Sequence, residues 1–372
     1  LYTCNTLKYH YFVLLHPKYR NMLLVGLLFF YLGCVITLNF VNTECPASSA
    51  IGILESTVNT EVEYIVLVLS GPQNEVKRDA IRSTWANFIG NIITENDVRL
   101  YRWNHSWTEP KKAQGFAKIL YPIGVQGLSE DQLIKISNEN TRSKDLILLE
   151  NLHDSYENLA RKVIESMIWL NNNYKNLKYV IKCDDDSFVR VDLIIKDLEA
   201  FAPQMNAPKI SSYVTQSIFY KGLYWGYFDG RARVFLNGKW EEKDWFLCDT
   251  YLPYALGGGY VISQSIVKYI ARNHDLLSVY RSEDVSMGVW TAALDGINRV
   301  HDVRFDTEWK SRGCDTNMLV RHKQTQTDMF KMYRTLVYTH GKKLCKTESK
   351  LRKSYQYNWN VLPSMCCKQN QV

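Results

Sequence analysis

No stretch of this 372-residue chain repeats another, none is of low complexity, and no glycine-rich phosphate loop is present. Solenoids, propellers and P-loop nucleotide-binding proteins are thereby excluded. The nine cysteines include no Cys-x-x-Cys pair and no Cys/His spacing of the zinc-binding kind, which removes the common structural zinc modules. Excess charge is modest at +7, too small an imbalance to predict a nucleic-acid partner. Glycosylation sequons number one, Asn104-His105-Ser106, so Asn104 is the single candidate for an N-glycan. What remains is ample for a core: 46% hydrophobic residues, with 24 Tyr and 10 Trp. Most of those rings belong to core and rim, and some can serve as stacking faces for sugars or bases.

There is one long hydrophobic run. Met22 to Val41 spans 20 residues without a charge, enough to cross a bilayer as one helix. Lys8, Lys18 and Arg20 precede it and Glu44 is the first charge after it. The positive-inside rule then keeps the N-terminus cytosolic and sends the bulk of the chain across. A cleaved signal peptide is the rival, given the small residues around 47–50, but the run is long for a signal core. The expected organisation is a cytosolic tail over 1–21, an anchor over 22–41 and a polar stem over 42–60. Seven cysteines follow the anchor. An oxidising lumen would pair some of them, and the odd number leaves at least one free or paired between chains.

Beyond the stem, strand-like and helix-like segments alternate. Glu63 to Ser70 has the composition of a buried strand, Gly71-Pro72 breaks it, and Glu75 to Phe88 resumes with helical spacing. Leu146 to Leu149, Ser155 to Leu170 and Tyr179 to Cys183 continue as strand, helix and strand. This order predicts an α/β domain with a mostly parallel sheet, whose ligands sit beyond the carboxyl ends of the strands. From about Ser211 to Thr250 the chain turns aromatic and glycine-punctuated, which suggests a separate β layer or a binding flap. The Lys/Arg-rich stretch His340 to Lys353 is by default a solvated face.

The most informative residues are Asp184-Asp185-Asp186, at the end of the strand that carries Lys182 and Cys183. Three adjacent carboxylates repel one another, and a hard divalent cation relieves that repulsion and can also hold a diphosphate. An EF-hand loop fails, because counting from Asp184 puts Val189 at the turn-glycine position and Ile195 at the bidentate-glutamate position. A solvated acidic turn is the bland alternative. Four other segments accompany the triplet. Arg78 and Arg82 share a helix face and can bind phosphate, or form surface ion pairs with Asp79 or Glu75. Asp154 opens a helix, where it can act as a cap. Pro253 to Tyr260, with Gly257-Gly258-Gly259 between tyrosines, is either a ligand-approach loop or a tight turn. Glu283 and Asp284 sit where a helix starts, as dipole partners or as a general base.

Taken in order, the patterns RxxIRxTW (Arg78 to Trp85), DxYxNLxxK (Asp154 to Lys162), DDD, PYxxGxGY (Pro253 to Tyr260) and EDV (Glu283 to Val285) resemble the β-1,3-glycosyltransferase family of Golgi enzymes. The resemblance covers roughly residues 61–338, leaving 339–372 as a basic extension. It implies a GT-A (Rossmann-like) glycosyltransferase domain behind a single N-terminal transmembrane helix, anchored in the Golgi membrane with the catalytic part lumenal. One departure is Ala160, where the family often has Thr. The closing half is similar to the branch of the family that builds the glycosaminoglycan linkage region. It carries that likeness in Tyr224-Trp225-Gly226, Leu252 to Val261, His301 to Glu308, Lys310 to Cys314, His322-Lys323-Gln324 and the tail residues Ser354-Tyr355, Trp359, Pro363 and Cys366-Cys367.

That likeness implies inverting transfer of galactose from UDP-galactose to O3 of the galactose in galactosyl-xylose on proteoglycan core proteins. It makes Asp284 the base and Asp186 a ligand of Mn2+, with Asp184 toward the ribose or the outer shell. His322 is the second metal ligand in preference to His301, since Asp328-Met329 follows it at the family's distance. UDP-sugar contacts fall to Arg78, Arg82, Asp154, Lys182, Asp184 and Asp185. Acceptor contacts fall to Trp225, Tyr254, Gly258, Gly259, Tyr260 and Glu283. Three rivals remain open: a β-1,3-N-acetylglucosaminyltransferase or sister galactosyltransferase, a catalytically dead sugar-binding chaperone, and a metal-dependent phosphohydrolase.

Overall fold

The computed structural model describes residues 25–26, 28–33, 62–91, 117–205 and 222–367. The chain divides into two units, Leu1–Ser56 and Thr57–Val372. In the first, residues 25–26 and 28–33 are helical. No helix among the described residues is long and apolar enough to cross a membrane. The rest of the 22–41 run, the expected tail and stem, and Asn104 lie outside the described residues.

The second unit is built on a seven-stranded sheet. Its elements in chain order are β1 (Tyr64–Leu69), α1 (Glu75–Arg82), β2 (Ala117–Gly124), α2 (Glu130–Ser143), β3 (Leu146–Leu149), α3 (Leu159–Asn173) and β4 (Tyr179–Asp184). There follow β5 (Phe188–Val189), α4 (Val191–Met205), β6 (Gly222–Asp229), β7 (Tyr254–Ser263), α5 (Gln264–Asn273) and α6 (Glu283–Ala292). The last are β8 (Ile297–His301), β9 (Phe305–Asp306), β10 (Val320–Arg321) and α7 (Gln326–Tyr338). The strand order is β3-β2-β1-β4-β7-β6-β8, and β5-β10-β9 form a small second sheet.

All six residues of β1 are buried, as expected of a central parallel strand covered on both faces. Each Val, Leu or Ile so buried contributes about 1.5–3 kcal/mol. A buried ion pair, by contrast, comes out near neutral against well-packed apolar residues. The apolar strands therefore supply the stability, and their ends are free to carry charge.

The sheet is mostly parallel, as expected, with β6 and β8 also parallel to each other and one strand reversed. β3, β2, β1 and β4 are parallel, but β7 runs antiparallel to both β4 and β6. The first expected helix stops at Arg82, because the Thr84 hydroxyl takes the Ala80 carbonyl at 2.6 Å and Trp85 turns into the core. A 3-10 turn, Tyr156–Asn158, precedes α3. The aromatic segment does not form a separate β layer where it joins the main sheet. Its first described part is β6, an interior strand whose Tyr224, Trp225, Tyr227 and Phe228 are buried, and residues 230–250 continue as an irregular, largely exposed segment with one isolated bridge between Arg233 and Thr250.

The tail is likewise part of the core, so the boundary expected at 338 divides one body. Leu344, Tyr355, Tyr357, Cys366 and Cys367 join the main hydrophobic cluster. The Tyr355 hydroxyl donates to the Phe228 carbonyl at 2.7 Å. Cys314 is bonded to Cys345 and Cys366 to Cys367, while buried Cys183 and exposed Cys248 are the free cysteines among the described residues.

Candidate active site

The chain leaves β1 outward to β2 and β3, then returns to β4 on the opposite side of β1. The switch point of the sheet thus lies between β1 and β4, at their carboxyl ends. Leu69 of β1 stands in register with Asp184 of β4, so the acidic triplet emerges at that crevice. Single ligand atoms of Asp184, Asp186 and His322 all lie within 4.8 Å of one another. His322 Nε2 is 3.1 Å from Asp186 Oδ1 and 3.4 Å from Asp184 Oδ2.

Several backbone contacts bring His322 there. β10 pairs with β5, the strand that follows the triplet. The His322 N–H donates to the Asp306 carbonyl at 3.1 Å, and the Gln324 N–H to the Asp186 carbonyl at 2.7 Å. The imidazole occupies the space beside Gly258, where a Cβ would stand 2.5 Å from the ring. Gly258 therefore makes room for a side chain of the protein, where the sequence suggested an acceptor contact. Gly259 does the same for Val320, at 2.9 Å.

Two carboxylates and an imidazole are a donor set suited to a divalent cation of the manganese or zinc type. The residues fit such an ion: apart from the imidazole 3.1 Å away, buried Asp186 Oδ1 has no hydrogen-bond partner among the described residues. Burial alone would raise the Asp184 pKa, but the Lys182 ammonium and the His322 imidazole bring it down to about 2. Burial likewise opposes charge on His322, yet Asp184 and Asp186 push its pKa up to about 9. The carboxylates thus attract whatever cation is at hand. Asp184, expected toward the ribose or the outer shell, has its carboxylate in this cluster. His301 is elsewhere, stacked on Tyr355 and bonded to the Phe228 N–H at 3.1 Å.

The second acidic group opens α6. Glu283 is 3% exposed and accepts from the Tyr260 hydroxyl at 2.9 Å and from the Lys182 ammonium. Lys182, fully buried, also donates to Asp184 at 2.9 Å and to the Gly257 carbonyl at 2.6 Å. Although burial opposes its charge, Asp184 and Glu283 hold its pKa above the ordinary lysine range. Lys182 is thus a charged strut between the metal-side carboxylate and the acid pair, with no donor left over for a diphosphate.

Asp284 is only half-buried. Its two oxygens accept from the Gly257 and Val285 N–H groups, each at 2.9 Å. Burial pushes its pKa up, opposed by Lys182 and by those two N–H donors. An oriented carboxylate that solvent can reach and that is more basic than usual is able to take a proton from a bound hydroxyl. Glu283 is locked by its partners. Sequence reasoning missed Glu242, which is 6% exposed and accepts from the N–H groups of Ser282 at 3.1 Å and Arg281 at 3.0 Å. It fixes the turn that launches the acid pair, and no local pattern marks it.

Four residues expected at the UDP-sugar have their polar atoms committed to the protein. Arg78 is buried between Glu139, at 2.5 and 2.7 Å, and the Gly71 carbonyl, at 2.6 Å. Arg82 is shared by Asp145, Glu139 and Asp79. Asp154 takes Lys162 Nζ at 2.6 Å and the Gly124 N–H at 3.0 Å, so it is no helix cap. Asp185 accepts from Ser70, Asn74 and Lys77. Arg78 and Asp185 thereby hold the β1–α1 loop, the latter against the triplet. Trp225 and Tyr260 are 1% and 0% exposed, and Tyr254 is 7% exposed. None of these three offers an open face for a sugar, because β6 and β7 are interior strands.

Residues 76–303 match the galactosyltransferase family. The chain is 39% identical over 308 residues to mouse beta-1,3-galactosyltransferase 6, covering 82% of each chain. It is 30% identical over 204 residues to UDP-GalNAc:beta-1,3-N-acetylgalactosaminyltransferase 2 of Xenopus laevis, covering 55% of this chain and 37% of that one. Hydroxyproline O-galactosyltransferase GALT2 of Arabidopsis thaliana is 31% identical over 199 residues, covering 52% of this chain and 26% of that one.

Proposed function

The chain belongs to the galactosyltransferase family, and from that premise we propose that it transfers galactose from UDP-galactose to O3 of a terminal β-galactose. The donor bond is α and the product bond β, so a single in-line displacement inverts the anomeric carbon. Asp284 accepts the proton of the attacking hydroxyl. Asp184, Asp186 and His322 would hold a divalent metal, for which we propose Mn2+, and such an ion would supply positive charge for a departing diphosphate. Lys182 keeps the two halves in register, and Glu242 aims the turn that presents Asp284. The observation that carries this reading is the pairing of an acidic, histidine-bearing cluster with an oriented carboxylate, joined through one buried ammonium at the switch point of the sheet.

For the acceptor we propose galactosyl-xylose on proteoglycan core proteins. The support is the likeness of the closing half, from Tyr224-Trp225-Gly226 to Cys366-Cys367, to the linkage-region branch of the family. A Golgi location behind a single anchor completes the reading, supported by the uncharged run Met22 to Val41 and the basic residues before it. The test is an assay of the full chain with UDP-galactose, UDP-N-acetylgalactosamine and UDP-N-acetylglucosamine against galactosyl-xyloside and lactosamine acceptors. The reading expects galactose on galactosyl-xyloside to be the fastest pair. Faster use of N-acetylgalactosamine, or of lactosamine ends, would overturn the substrate assignment.

A further inference from the structure

With Trp225, Tyr254 and Tyr260 buried, the site needs another surface on which to hold a sugar ring, and two tryptophans missed by motif reading occupy its rim. Trp240 lies in the segment between β6 and β7, and Trp309 in the segment between β9 and β10. Their rings meet edge to face, with centroids 5.6 Å apart. Trp309 is 76% exposed, which is unusual for an indole held in place from two sides. Lys323, next to His322, donates Nζ to the Trp309 carbonyl at 2.7 Å and sits 3.5 Å from its ring centroid. On the other side, the carbonyl of Lys239, next to Trp240, accepts from Arg281 Nε at 2.6 Å in the turn that leads to Asp284. Lys239 covers the Tyr156 ring at 4.3 Å.

The tryptophan pair therefore spans the site from the wall of the base to the wall of the metal. An exposed indole costs hydration, and the apolar C–H face of a pyranose is the ligand surface that matches it, with ring hydroxyls left at the edge for water or nearby ammonium groups. We propose that Trp309, braced by Trp240 and Lys323, is the platform for the second sugar of the acceptor, the ring adjoining the one whose hydroxyl faces Asp284. The inference rests on the galactosyl-transfer reading above. It gives that site its preference for a disaccharide over a single sugar.

The test compares a galactosyl-xyloside with methyl β-galactoside as acceptors for the full chain. Wild type should favour the disaccharide. Trp309→Ala should raise KM for the disaccharide about tenfold and leave the KM of the monosaccharide and of UDP-galactose within twofold, so that the preference collapses. Trp309→Tyr keeps an aromatic face and should recover most of the preference. Tyr338→Ala, which removes an 88% exposed ring at the far end of α7, should change neither acceptor. If Trp309→Ala retains the disaccharide preference while wild type transfers to both acceptors, the platform is refuted and galactosyl transfer stands. If wild type transfers galactose to neither, the underlying reading falls and takes the platform with it.

Discussion

Among single residues, Asp284 and Glu283 are neighbours with opposite circumstances, and burial separates them. Glu283 is enclosed and bonded to Lys182 and Tyr260, whereas Asp284 is half-buried with both oxygens oriented by backbone N–H groups. Asp284→Asn keeps the shape and removes the basic lone pair. Turnover should fall by about two to four orders of magnitude, with UDP-galactose binding by calorimetry retained. A near-normal rate in Asp284→Asn would move the base elsewhere. Gly258→Ala tests the other wall. A methyl 2.5 Å from the His322 ring must displace it, so manganese affinity should weaken at least tenfold while the thermal midpoint moves little. Unchanged manganese binding would mean that the imidazole is no ligand.

The acidic triplet was legible because adjacent carboxylates declare themselves, whereas His322 and the role given to Asp284 came from the family resemblance. The partners of Arg78 and Lys182 were not. Glu139 lies 61 residues from Arg78, and Glu283 lies 101 residues from Lys182. Whether a buried cation meets a substrate or an internal carboxylate is decided by such distant contacts, and no local pattern reports them.

Elements aim the chemistry by the way they begin. α6 starts at Glu283, and the turn before it hangs on Glu242 from a segment forty residues upstream. Glu242→Ala leaves two N–H groups without their acceptor, at about 1–3 kcal/mol each if they stay dry. We expect kcat to fall about tenfold or more with little change in donor KM, and Glu242→Gln, which keeps an acceptor oxygen, to recover much of it. Equal losses in the Ala and Gln variants would contradict a positioning role. At this scale, strands read from unbroken apolar runs matched well: β3 was expected at Leu146 to Leu149 and is found there. β6 was misjudged because aromatic and glycine residues in a strand buried on both faces look, in sequence, like hairpin turns. Only its pairing with β7 and β8 distinguishes the two.

For the molecule as a whole, one fold carries two half-sites, with the Asp184/Asp186/His322 cluster at the end of β4 and Asp284, the proposed base, at the start of α6. The glycine-rich strand β7 lies between them. The tail was invisible as structure because its Lys and Arg residues dominate its composition, although Leu344, Tyr355 and Tyr357 fix it to the core. The family resemblance stated from the motifs agrees with the match over residues 76–303. The most direct measurement is the anomeric configuration and linkage of the product formed by the full chain from UDP-galactose and galactosyl-xyloside with manganese, read by nuclear magnetic resonance. The account predicts a single β-linked galactose on O3 of the terminal galactose, and no product when the metal is chelated. An α-linked product, a bond to another hydroxyl, or undiminished transfer in excess chelator would contradict it.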